Sequence, residues 1–125
     1  MGILQIIRLV LSVGTPPEIN DEADFRNWCK RVAEAAAQLA TLTNSELDDQ
    51  IVAGLGKITA TDAYWAAFYA ILKAAANYLR DDDQDQIVRS DSRTAELGEK
   101  AGIDPATIIA IIGLVLKFIE WRRNR

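Results

Sequence analysis

The chain contains no histidine. Without imidazole there is no Ser-His-Asp triad, no Cys-His dyad and no histidine metal ligand. It contains one cysteine, Cys29, which excludes an intrachain disulfide framework and any CxxC site. Prolines number only three, at positions 16, 17 and 105. Positive charge is not in surplus. The net charge is -4, so nothing in the balance attracts the chain to nucleic acid, and no nucleic-acid partner is expected. Long alternation of polar and apolar residues is also missing, which argues against half-buried strands.

What is present is alanine and larger apolar residues. Half of the 125 residues are hydrophobic and 26% are charged, too apolar for a disordered chain. At this length one domain is expected over 1–125, burying about two-thirds of the unfolded surface without a disulfide or metal staple. Alanine loses no side-chain entropy in a helix. The expected fold is therefore all-α, a compact bundle of about five helices with an acidic loop before the last one.

Residues 3 to 13 are apolar except for Gln5, Arg8 and Ser12. At spacings of three and four these form one polar stripe, so an N-terminal helix over 1–13 is expected. A buried strand competes, because β-branched residues are frequent there. The run is too short to span a bilayer and has no small-residue cleavage site after it. Ile6 stands where a myristoylation signal needs Ser or Thr. Pro16 and Pro17 break the chain. A central set of helices is expected over 20–80.

The first of these starts near Asn20 or Asp21 and carries Phe25, Trp28, Val32, Ala35, Leu39 and Leu42 at intervals of 3, 4, 3, 4, 3. That is a heptad seam, expected to face the core of a bundle. Cys29 beside it reads as a small buried hydrophobe. A second helix carries Leu47, Ile51, Leu55 and Ile58, and Gly54 with Gly56 is expected to stop it. Thr59 and Asp62 stand at capping spacing for a third, from Asp62 to Arg80. It holds five of the nine aromatic residues, Tyr64, Trp65, Phe68, Tyr69 and Tyr78, which read as core.

Residues 81–103 are expected to be a solvated acidic connection, with at most a helical turn near Thr94 to Leu97. Between Asp81 and Lys100 there are seven acidic and three basic residues, an excess equal to that of the whole chain. Asp104-Pro105 then gives a strong helix start, with a cap followed by a first-turn proline. The helix over 104–123 is apolar from Ala106 to Leu116 and ends in Arg122 and Arg123, where the dipole favours cations.

Few constellations suggest chemistry. Asp81, Asp83 and Asp85 match the first, third and fifth ligand positions of a calcium loop, but Gln86 and Ser92 occupy the positions that need Gly and Glu. The pairs at Asp48/Asp49 and Asp81/Asp82 lack a visible cleft. Gly54-Leu55-Gly56-Lys57 lacks the phosphate-loop spacing and the hydroxyl after lysine. Lys73 on an apolar helix would be a nucleophile only if desolvated. No catalytic residue, cofactor, metal or small-molecule substrate is expected.

The favoured expectation is a non-enzymatic helical interaction or assembly protein, cytoplasmic, that self-associates or docks a protein partner. Its contact surface would be the C-terminal helix, with Ile108, Ile111, Ile112, Val115, Leu116 and Trp121 as interface residues, because apolar side chains cover nearly its whole circumference. Gly113 would permit close backbone approach there. The alternative is a membrane-associated protein. Residues 105 to 121 just reach spanning length, and Trp121 with the arginines is similar to an interfacial belt. In general shape alone this layout resembles small phage holins and tail-anchored proteins. On either reading, Ile112→Asp with Leu116→Asp should abolish association and leave the other helices partly folded.

Overall fold

The computed structural model describes residues 13–40, 46–78 and 81–123, and within them the chain is all-α. Six helices occur among the described residues: α1 (Glu22–Ala40), α2 (Glu46–Ala60), α3 (Asp62–Ala76), α4 (Asp81–Ser90), α5 (Ser92–Ala101) and α6 (Pro105–Arg123). The N-terminal helix expected over 1–13 lies outside the described residues apart from Val13.

Helix α1 starts where acidic residues meet the positive end of the dipole, with Glu22 and Asp24 in its first turn. Phe25, Trp28 and Val32 of the heptad seam are buried, and so is Cys29. The side chains of Leu39 and Leu42 lie outside the described part. The segment before α1 is held across the core by long-range bonds. The Trp28 indole donates to the Gly14 carbonyl at 3.2 Å, and the Tyr69 hydroxyl donates to the Ile19 carbonyl at 2.6 Å. The Trp65 indole donates to Glu22 Oε1 at 3.1 Å.

Helix α2 runs through both glycines instead of stopping at them. A Cβ on Gly54 would lie 2.7 Å from Ile111 Cδ1, so at this glycine the Ile111 side chain of α6 packs directly on the α2 backbone. Packing there outweighs the roughly 1 kcal/mol by which glycine disfavours a helix interior. Thr59 is consequently inside α2, its hydroxyl bonded to the Leu55 carbonyl at 3.0 Å, and is not the cap of the next helix. The cap position of α3 is Thr61, in extended conformation. α3 ends at Ala76, four residues earlier than expected. Its aromatic residues divide: Trp65 and Phe68 are buried, Tyr64 and Tyr69 half-buried, and Tyr78 is exposed.

The largest departure is the acidic segment, which is two helices and not a loop. Helix α4 turns Gln84 and Val88 inward, and α5 turns Thr94, Leu97, Gly98 and Ala101 inward. Buried polar groups on this pair are satisfied. Gln84 Nε2 donates to the Tyr78 carbonyl at 2.7 Å, and the Thr94 hydroxyl donates to the Val88 carbonyl at 2.8 Å. Acidic and basic residues pair one turn apart as Asp85–Arg89 and Glu96–Lys100. Asp91 caps α5 by accepting from the Arg93 amide at 2.9 Å. At the other end Gly102 is left-handed (φ 68°), and Ile103 N–H bonds back to the Gly98 carbonyl at 2.9 Å, a Schellman stop. These local signals were present in the sequence, but the charge excess masked them.

Helix α6 begins as expected, with Asp104 Oδ1 accepting from the Ala106 amide at 3.2 Å. It packs against α2, α3, α4 and α5, and Phe118 meets Trp28 of α1 edge-on at 5.1 Å between ring centroids. Ring contacts continue from Trp28 to Phe25 and from Phe25 to Trp65, so aromatic residues join α6, α1 and α3 in one core.

Candidate functional site

The residues expected to form an interface on α6 are inside the fold. Ile108, Ile111, Ile112 and Val115 are 0% exposed and Leu116 is 6% exposed. The side chain of Trp121 lies outside the described part. Thr107, Leu114, Phe118 and Ile119 are buried as well. The premise that one bundle face would leave several large residues in water fails, because four neighbouring helices surround α6 on most sides. The remaining outer stripe is Ala106, Ala110, Gly113 and Lys117, at intervals of 4, 3, 4, flanked by half-buried Ile109 and Glu120. Small side chains expose little apolar area, so a helix that reads as apolar all round is matched to its burial. Ile112→Asp would therefore place a charge in the core and unfold the domain, and it cannot report on association alone.

Beside this stripe lies a groove of about 180 Å³ between α4 and α6. Val88, Ile109, Gly113 and Leu116 form its apolar floor, and Asp85, Lys117 and Glu120 stand at its rim. Of the expected interface residues with described side chains, Leu116 alone borders it. The groove is smaller than the 300–1,000 Å³ typical of small-molecule sites. Its long apolar floor with charged edges has instead the composition of a helix-packing surface. A Cβ on Gly113 would meet nothing within 4 Å, so the stripe is open above this residue. Sequence reasoning did not set Gly113 with Ile109, Lys117 and Glu120 as one face, because that face becomes visible only once α4 is placed beside it.

A second concavity, of about 380 Å³, opens between α2 and the α5–α6 corner. Lys57, Asp104 and Thr107 face it with Ala53, Gly54 and Ile103. Lys57 Nζ also donates to the Ala101 carbonyl, at the C-terminal end of α5.

The other singled-out residues separate. Asp81, Asp83 and Asp85 fall on the first turns of α4, a helix and not the loop that a calcium site of this pattern requires. Asp85 is engaged by Arg89 at 2.7 Å. Among the described residues no group of three or more metal-ligating side chains converges. Cys29 is buried, and desolvation pushes its thiol far above the ordinary range, which leaves it inert as a nucleophile. Gly54-Leu55-Gly56-Lys57 is helical and offers no phosphate cradle. Lys73 is exposed, its ammonium 5.4 Å from the Tyr69 ring centroid. Arg122 is paired with Glu18 across the surface. The side chains of Asp48, Asp49, Asp81 and Asp82 lie outside the described part.

No single helix among the described residues is long and apolar enough to cross a membrane. Helices α5 and α6 pass that test only together, and they are bent by 114°. The chain matches no protein-family model, no curated protein and no solved structure with which it was compared.

Proposed function

We propose that this chain is a non-enzymatic helical assembly protein, folded as one compact bundle over 1–125, that self-associates through the groove between α4 and α6. The observation that carries the reading is the groove's composition, an apolar floor at Val88, Ile109, Gly113 and Leu116 between Asp85 on one rim and Lys117 with Glu120 on the other. Ile109, Gly113, Leu116 and Glu120 follow at 4, 3, 4, the spacing with which one helix seats against another at a shallow crossing angle. Gly113 and Ala110 let the backbones approach closely. The occupant is a second copy. Asp85 stands on the α4 rim, where it also pairs with Arg89, and Lys117 stands with Glu120 on the α6 rim. A two-fold axis parallel to α6 and through the groove sets Lys117 of each copy against Asp85 of the other. The apolar run at residues 3 to 13 is a second element for the same assembly, and the protein acts in the cytoplasm.

The test is molar mass by light scattering after size exclusion, with and without detergent. Wild type should run at twice the chain mass. Gly113→Arg should run at one chain mass with unchanged helicity, because a Cβ at this position meets nothing within 4 Å and the side chain starts out from the monomer surface. The swap Lys117→Asp with Asp85→Lys should restore the dimer that Lys117→Asp alone loses. A wild type of single-chain mass, or a Gly113→Arg variant that keeps the dimer, refutes the reading. Sedimentation of wild type with lipid vesicles would favour membrane association instead.

A further inference from the structure

We propose that the concavity between α2 and the α5–α6 corner binds a small aliphatic zwitterion of the α-amino acid type, with its carboxylate on Lys57 and its ammonium on Asp104. This site lies apart from the α4–α6 groove and stands independently of self-association. Both charged side chains face one space of about 380 Å³, within the range of small-molecule sites. They lie too far apart to pair with each other, and neither pairs with another described residue. A ligand carrying both charges satisfies both walls, whereas a simple anion or cation would leave one of them opposed.

Each charged residue is also held in place. Lys57 is anchored by its bond to the Ala101 carbonyl, which leaves two ammonium protons for a ligand. Asp104 uses Oδ1 to cap α6 and keeps Oδ2 free. Thr107 lies on the same wall, where its hydroxyl can bond a ligand carboxylate or amine. Ala53, Gly54 and Ile103 give an apolar floor for a short aliphatic side chain.

The probe is leucine, titrated into the full-length protein and followed by amide chemical shifts. Two analogues each delete one charge: leucinamide lacks the carboxylate, and 4-methyl-2-oxopentanoate lacks the ammonium. Leucine should shift the amides of Gly54, Gly102 and Thr107, and each analogue should bind about tenfold more weakly or worse, the loss of one charge-assisted bond. Asp104→Asn keeps a good helix cap. It should weaken leucine about tenfold and leave the oxo acid unchanged, a split that a merely structural defect would not produce. No shifts at saturating leucine, leucinamide binding as tightly as leucine, or an unchanged leucine affinity in Asp104→Asn would each overturn the proposal.

Discussion

Helix α6 and the α4–α5 pair stand side by side and are near opposites in composition. From Pro105 to Leu116 the first has no charged residue, while the second carries an acidic excess equal to that of the whole chain. Both nevertheless bury one face on the same core and leave another in water. In α6 the wet stripe is made of alanine, glycine and lysine. In α4 and α5 the dry stripe is made of valine, leucine and alanine, with Gln84 and Thr94 satisfied by backbone carbonyls. Mean polarity thus says little about where a helix sits. The size of side chains on the exposed stripe, and the satisfaction of polar groups on the buried one, decide it.

Removing packing from the apolar partner should have the largest effect. Phe118→Ala deletes a fully buried ring that contacts Trp28, and unfolding in denaturant should show a loss of about 3–5 kcal/mol. A loss under about 1 kcal/mol would mean that α6 is peripheral.

The corner that joins the two regions is the next test. A Cβ on Gly98 would lie 2.8 Å from the Ile103 carbonyl oxygen, a backbone atom that cannot swing aside. Gly98→Ala should cost about 1–3 kcal/mol by the same measurement, although alanine is the better helix former.

The smallest effect should come from the acidic partner's own electrostatics. Arg93 hydrogen-bonds the Asp91 carboxylate and holds it below the usual carboxylate range, against a weaker upward push from burial. A carboxylate lowered in the folded state stabilises fully above its unfolded pKa of about 4 and loses that contribution as pH falls through the folded value. Asp91→Ala should cost about 1 kcal/mol at neutral pH through the lost cap. Asp91→Asn should keep most of the cap and show a shallower decline in stability between pH 5 and 2. An unchanged acid profile would remove Asp91 from the electrostatic account.

The local chemistry of this chain was legible where one residue type has one use. The Asp104-Pro105 start, the Phe25–Trp28–Val32 seam and the burial of Trp65 and Phe68 follow directly from capping geometry and helical spacing. The acidic segment was misread because seven carboxylates outweigh Val88 and Leu97 in any composition window, whereas a ten-residue helix needs only three or four inward residues. Gly54 was misread as a stop because its close approach to Ile111, 57 positions away, leaves no local mark. The interface residues were misplaced for the same reason. Hydrophobicity around α6 is visible in sequence, but how many neighbours surround it is not.

By itself, then, the sequence determined the all-α class, the starts of α1 and α6 and the lack of imidazole chemistry, since each rests on short-range sterics or on residue identity. The tertiary structure decided which face of each helix is covered. It turned Ile108 to Val115 inward, opened the groove over Gly113 and brought Lys57 to the same concavity as Asp104. Those relations join residues far apart in the chain, and they are fixed by how the six described helices fill one core.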